Sequence, residues 1–230
     1  MRLSYKFRLY PTRTQAPALD LLLGSLCDLY NAALQQRIEA YRRQGRTLRY
    51  ADQAAELKAV RAADERLAGF SFSTEQQVLR RLDKAFAAFF RRLKKGGKAG
   101  FPRFRAKSMF DSAEMRVSDG LTLKRSRRIG VTGIPGAIKV KWHRPLPVTA
   151  GLGAAVLSRS CGRWFVCFQI ELPDAGATAS LPHRQGFAPV GIDLGLSALV
   201  ALSTGETIPT PPITKNLDQL TPPLLLQRAA

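Results

Sequence analysis

Cysteine is scarce in this chain of 230 residues: Cys27, Cys161 and Cys167 are an odd number without CxxC spacing. That pattern excludes a disulfide framework and a zinc ribbon, and leaves the three as free thiols. Long apolar runs are missing as well. No segment approaches the roughly 18 apolar residues of a membrane span, and Met1 to Pro11 lacks the apolar stretch of a secretory signal. Membrane insertion and export are therefore not expected, and the chain is taken as cytoplasmic. Acidic residues are the third shortage, with 17 Asp and Glu against 36 Lys and Arg, a formal net charge of +19 and a pI near 10.8. Such an excess repels itself in a compact chain and implies a polyanionic partner. With membranes set aside, that partner is nucleic acid.

What is present suffices for a folded core, since 45% of the residues are hydrophobic. The charge is unevenly placed. From Leu181 to Ala230, three basic residues (Arg184, Lys215, Arg228) balance three acidic ones (Asp193, Glu206, Asp218), so the whole excess lies before Leu181. The change coincides with a Pro- and Gly-containing stretch, and residues 183–189 are expected to link two modules.

Residues Leu3 to Tyr10 alternate apolar with basic or polar and predict a strand ended by Pro11. Leu19, Leu22, Leu23, Leu26, Leu29, Tyr30, Ala33, Leu34, Ile38 and Tyr41 then recur at helical spacing until Gly45, with Gly24 as a point of bending. Asp52 to Leu67 predicts a shorter, Ala-rich helix. A third helix is expected to open on a Ser73–Gln76 capping box, to carry the stripe Val78, Leu79, Leu82, Phe86, Phe89, Phe90, Leu93, and to stop at Gly96 and Gly97. Short strands separated by turn residues follow: Glu114 to Val117, Leu121 to Leu123, Arg128 to Val131, Ala137 to Val140, Ala154 to Arg159 and Trp164 to Leu172. They suit a small barrel or curled sheet that the first strand can join. Beyond the linker, Val190 to Asp193, Ala198 to Leu202 and Glu206 to Ile208 predict further strands around a Ser203-Thr204-Gly205 turn. The fold class expected is α+β: a strand at 1–11, a helical region at 12–107, a β-barrel at 108–182, the linker, and a second module at 190–230.

Two basic clusters stand out. From Arg80 to Lys107 there are eleven basic residues (Arg80, Arg81, Lys84, Arg91, Arg92, Lys94, Lys95, Lys98, Arg103, Arg105, Lys107) and one acid, Asp83. Phe101 and Phe104 interleave with them and can either stack on bases or anchor a loop. The second cluster, Lys124, Arg125, Arg127, Arg128, Lys139, Lys141 and Arg144, has no acid between Leu121 and Arg144. A charge run is often only a solvated face, but this density favours phosphate contact, and two separated surfaces suit a duplex or structured RNA. In Val190-Gly-Ile-Asp193-Leu-Gly195, one carboxylate interrupts an apolar strand expected to be buried. An Asp there is either a metal ligand or a residue at a strand edge or turn.

Taken in order, Tyr5-Lys-Phe-Arg-Leu-Tyr-Pro11, Gln15 with the Leu-rich helix to Tyr30-Asn31, Leu79-Arg-Arg-Leu-Asp-Lys-Ala-Phe86 with Phe89-Phe90, Gly100-Phe-Pro-Arg-Phe-Arg105 and Gly191-Ile-Asp-Leu-Gly195 resemble the signature of the TnpB family. These are the OrfB-type proteins of bacterial insertion sequences, related to type V CRISPR effectors. The resemblance implies a wedge β-barrel interrupted by a helical recognition insertion, followed by a RuvC domain of ribonuclease H type. It also implies a guide RNA, a DNA target, nucleoid association when bound, and cleavage by divalent metal such as Mg²⁺, with Asp193 matching the first of three catalytic carboxylates and metal ligands.

The resemblance also implies a catalytic Glu, a second catalytic Asp and a four-cysteine zinc site well downstream of Asp193; none of these motifs is found in this sequence, since neither Glu206 nor Asp218 falls in a matching one. Pro222 and Pro223 stand where the family continues a helix. The expectation is therefore a nucleic-acid-binding protein that does not cut alone and binds no zinc. Its rivals are a nuclease half completed by another chain, a decayed remnant with open sheet edges, and a DNA-binding transposition accessory or repressor. That last rival would read bases with Thr74, Gln76 and Gln77 at the start of the third helix.

Overall fold

A computed structural model describes residues 2–124, 126–146, 152–171, 190–195 and 198–209, and the chain divides into two compact units, residues 1–174 and 175–230. In the first unit, β1 (Arg2–Tyr10) is followed by α1 (Gln15–Gln44), α2 (Tyr50–Ala63), α3 (Glu65–Ala68) and α4 (Phe72–Lys94). A short 3₁₀ turn at Lys107–Met109 then leads to β2 (Ser112–Arg116), β3 (Leu121–Lys124), β4 (Arg128–Val131), β5 (Ala137–Lys141), β6 (Leu152–Ser160) and β7 (Arg163–Glu171). The seven strands form one antiparallel sheet in the order β2-β6-β7-β1-β5-β4-β3.

This order requires curvature. β2 and β3 lie at opposite edges, yet only Val117 to Gly120 join them, so the edges must approach one another. The Ser118 N–H donates to the Leu121 carbonyl at 2.7 Å in that corner. Gly120 is required there because a Cβ would come within 2.6 Å of Thr74 Oγ1, at the start of α4. A flat sheet of this connectivity would need a much longer crossover.

The inner face alternates as a half-buried sheet must: Phe7 and Leu9 of β1, Trp164, Val166, Phe168 and Ile170 of β7, and Ile138 and Val140 of β5 are buried. All of these but Ile170 share one core with Leu19, Leu22, Leu26 and Leu34 of α1 and with Val78, Leu79 and Leu82 of α4. α1 is helical without a break through Gly24 and ends where Gly45 takes the left-handed conformation, its N–H donating to Tyr41. Buried Gln15 ties the start of α1 to the sheet by donating to the Pro135 carbonyl at 2.8 Å.

Several boundaries differ from the sequence expectations. The helix expected over Asp52 to Leu67 is two helices, parted at Asp64, whose extended backbone breaks α2 and whose carboxylate accepts from Arg66 N–H at 3.0 Å. α4 opens at Phe72 behind Ser71, and the Ser73 hydroxyl pairs with that of Ser71 rather than capping the helix. The apolar stripe of α4 is buried only through Leu82; Phe90 and Leu93 are exposed because the helix runs on past the core.

Buried polar groups hold the helices together. Arg37 of α1 donates to Gln53 at 2.8 Å and to Asp83 at 3.1 Å, bridging α2 and α4. Arg61 donates to the carbonyls of Leu67, Ala68 and Phe70 and to Glu75 Oε1 at 2.5 Å. Glu75 is 0% exposed and its second oxygen has no partner among the described residues, so desolvation raises its pKa despite the guanidinium of Arg61.

Within the second unit, β8 (Ile192–Asp193), β9 (Val200–Leu202) and β10 (Thr207–Ile208) make an antiparallel sheet in the order β10-β9-β8. The Ser203–Gly205 turn closes it, with Gly205 at positive φ donating to Leu202 at 2.9 Å. The linker expected at 183–189 lies outside the described residues.

Candidate nucleic-acid interface

The first basic cluster is built by α4 and the segment after it. Asp83, its single acid, is partly exposed but engaged by Arg37 at 3.1 Å, which leaves the surrounding cations unanswered. Lys84, Arg91, Arg92, Lys94, Lys95, Lys98, Arg103 and Arg105 are all exposed, and their side chains have no hydrogen-bond or ion-pair partner among the described residues. Three members have structural contacts. Arg81 donates to the Ser112 carbonyl at 3.1 Å and lies over Phe110, Arg80 lies over Tyr50, and Lys107 pairs with Asp28 at 2.9 Å.

The Gly100–Arg105 segment is held against α1 by a reciprocal clamp. The Arg105 N–H donates to Asn31 Oδ1 and the Asn31 amide donates back to the Arg105 carbonyl, both at 2.8 Å, while Cys27 Sγ reaches the same carbonyl at 3.2 Å. Burial raises the pKa of the Cys27 thiol, which keeps it protonated as a donor. Two motifs some 70 positions apart are thus one structural unit. The two phenylalanines, equivalent in sequence, part company here. Phe101 sits edge-on to Phe86 and Phe89 at 5.5 and 5.4 Å, which is the anchoring role. The two are similarly exposed, Phe101 at 48% and Phe104 at 53%, but Phe104 has no ring partner among the described residues.

The second cluster lies on the outer face of the curled sheet. Lys124 pairs with Arg128, Arg128 with Lys139, and Lys139 with Tyr10 across β3, β4, β5 and β1, while Lys141 pairs with Arg8. Directly paired residues share a face, so these cations form a lattice about 5 Å across strands and about 7 Å along them. No Asp or Glu occurs in any of these four strands. Like charges in such pairs repel, which costs the free protein stability that a polyanion restores. Arg127 is exposed in the β3–β4 turn at a φ of 57°, and its carbonyl accepts from Trp142 at 2.8 Å. Arg144 is tied to the Ser4 carbonyl and the Tyr5 ring. Arg125 lies outside the described residues.

Sequence reasoning missed the part of this lattice contributed by β1. Lys6 and Arg8 alternate with Phe7 and Leu9, Lys6 lies over Phe165 at 4.5 Å, and Arg8 lies over Tyr10 at 4.9 Å. The alternation was visible; the pairing with strands some 130 positions away was not.

Two sequence expectations fail. Thr74 is 2% exposed and Gln76 and Gln77 are half-buried, because the first turn of α4 packs on the β2–β3 corner. That end of the helix is not free to read bases. Asp193 was expected in a buried strand but is exposed, flanked by Ile192 at 68% and Leu194 at 73%. The described residues of the second unit form a single sheet layer with nothing among them covering either face. No group of three His, Cys, Asp or Glu that could hold a metal occurs among the described residues, so those residues do not by themselves fit a two-metal centre. No described helix is long and apolar enough to cross a membrane.

Comparison with known proteins matches residues 1–46, here β1 and α1, to a family model of OrfB type described as a helix-turn-helix domain. A candidate RNA-guided DNA endonuclease of Streptomyces pristinaespiralis is 32% identical over 211 residues, covering 90% of this chain and 50% of that protein. These matches support a likeness to the TnpB/OrfB family. A second relative, InsQ of Escherichia coli (strain K12), also a candidate RNA-guided DNA endonuclease, is 27% identical over 221 residues, covering 94% of this chain and 51% of InsQ. The chain thus spans about half the length of these relatives. A cryo-EM structure of a Cas12f1–sgRNA–target DNA complex is similar over 95% of this chain and 58% of the other, at a TM-score of 0.42 and 14% identity.

Proposed function

We propose that this chain is the nucleic-acid-binding part of an RNA-guided DNA endonuclease of the TnpB/OrfB type, holding a guide-like RNA and its DNA target on the two cationic surfaces of its first unit. One observation carries this most directly. Four strands bring Lys124, Arg128, Lys139, Lys141 and Arg8 into adjacent positions without a single carboxylate. A protein surface built for solvent alone interleaves charges of both signs; one that repels itself in register is adapted to a ligand carrying the opposite charge at every repeat. Phosphate contacts of this kind position a nucleic acid, and base pairing with the guide then reads sequence.

In this reading residues 190–230 begin a ribonuclease H-like domain. Asp193 supplies one carboxylate toward a divalent-metal centre, and the residues described do not complete one, so the first unit binds and any cutting requires further ligands.

The test is to express the chain with the flanking DNA of its own element, purify it and sequence the RNA that comes with it. Transcripts from the end of the element, enriched over total RNA, are expected. RNA no different from background contradicts guide binding. A parallel incubation with that RNA, Mg²⁺ and a matched duplex separates binding from cutting. Intact DNA in a retarded complex is expected, whereas cleavage that disappears in Asp193→Ala shows that the chain completes a nuclease.

A further inference from the structure

The groove beside the Asn31 clamp differs from the rest of the cationic surface. Tyr30 of α1 forms its buried floor, Arg92 of α4 one side, and the chain from Gly100 to Met109 the other, around about 550 Å³ of open space. Arg92, Arg103 and Arg105 line it, and no acid does. Phe104 and Met109, 53% and 69% exposed, offer an aromatic face and a polarisable sulfur at its mouth.

The geometry points to an unpaired-nucleotide site in this groove: a base stacks on Phe104 while the flanking phosphates are held by Arg92, Arg103 and Arg105. The site deepens the proposed function and rests on it, since it names the part of the nucleic acid that the groove takes. Three features favour a nucleotide over a bare anion or a peptide. Three cations and an aromatic ring line the same groove, the combination that a sugar–phosphate strand with a base at its side demands. Phe104 is exposed and has no ring partner among the described residues, so its face is free for a base to stack on. The groove is within the size range of small-ligand sites, which one nucleotide fills and a helix does not.

The ligand must be unpaired because bases inside a duplex present their edges, with their faces already stacked on neighbours. The wall is also fixed before binding. Phe101 is lodged against Phe86 and Phe89, Pro102 is buried, and Asn31 grips the Arg105 peptide from both sides. Little ordering entropy is then lost when a nucleotide enters.

The test uses the full chain, a short single-stranded oligodeoxynucleotide carrying one 2-aminopurine, and a blunt duplex of the same sequence. Phe104→Leu keeps apolar bulk but removes the stacking face, and Phe104→Trp restores it. Single-strand affinity is expected to fall about five- to tenfold in Phe104→Leu, in line with the loss of one base stack, with duplex affinity unchanged. Phe104→Trp should recover the affinity, with its indole fluorescence quenched as the strand binds. The site is overturned if Phe104→Leu holds the single strand as tightly as the parent, or if it loses affinity equally for both ligands. Asn31→Ala is a second variant. Freeing the Arg105 peptide should weaken single-strand binding more than duplex binding while thermal unfolding remains cooperative; equal weakening counts against a preformed site. If the parent chain binds neither ligand at low salt, the failure is that of the proposed function itself.

Discussion

The two cationic surfaces of this protein are made in opposite ways. The one on α4 and the Gly100–Lys107 segment is contiguous in sequence, and its geometry depends on one helix end and one clamp. The one on the sheet is assembled from β1, β3, β4 and β5, with Arg8 facing Lys141 across more than 130 positions. The first carries charges that spread into solvent at little cost. The second holds like charges about 5 Å apart by backbone hydrogen bonds, so its repulsion is fixed by the fold. Loss of charge should therefore have different consequences on the two surfaces, and several measurements can break or sharpen that contrast.

The largest effect is expected on the helix–loop surface. Charge reversal at Arg103 and Arg105 together should weaken RNA or DNA binding by more than tenfold at low salt, since two cations become two anions beside the phosphates. The same reversal at Arg42 and Arg43, in the last turn of α1, should cost much less. Equal losses in a fluorescence anisotropy titration would remove the reason for assigning the interface to the clamped segment.

A smaller but more distinctive effect is expected on the sheet. Lys139 faces Arg128 on one side and Tyr10 on the other. Lys139→Glu turns a like-charge contact into an ion pair, so it should weaken binding and at the same time raise the melting temperature of the free protein by roughly 2–4 °C for a gain near 1 kcal/mol. The Arg103 and Arg105 reversals should leave the melting temperature unchanged. A Lys139→Glu variant that melts earlier than the parent would show that the lattice is not strained by its own charge.

The smallest effect concerns the frame beneath both surfaces. The folded-state pKa of Glu75 is raised by burial, so the folded chain holds that proton to higher pH than the unfolded chain does. Its contribution to stability is present below the ordinary carboxylate range and is lost as pH rises through the raised value. The melting temperature of the parent minus that of Glu75→Gln should accordingly decrease between about pH 4 and pH 7. An increase over that range would mean that the Arg61 pairing outweighs desolvation.

The same contrast explains what was legible in the amino-acid order. Helical stripes, short strands and the dense basic run are local signals, and α1, α4 and β1 to β7 lie close to where periodicity and turn residues place them. Asp64 escaped notice because a single extended residue inside an Ala-rich stretch leaves no change of period. The pairing of Asp83 with Arg37, the Asn31 clamp and the sheet lattice are contacts between distant segments, which no local pattern encodes. The two roles of Phe101 and Phe104 were undecidable for the same reason, since only Phe86 and Phe89 distinguish them. Asp193 misled in the other direction: an apolar neighbourhood in sequence suggested burial, and no described residue of the second unit covers its strand.

The account depends above all on phosphates meeting both surfaces at once. The dependence of binding on salt measures this directly, because each phosphate contact adds about 0.7 to the slope of log affinity against log salt concentration for a single strand and about 0.9 for a B-form duplex. A steep slope is predicted for the parent chain, reduced both by neutralising Arg103 and Arg105 and, separately, by neutralising Lys139 and Lys141. A slope near zero, or one unaffected by either pair, would contradict it.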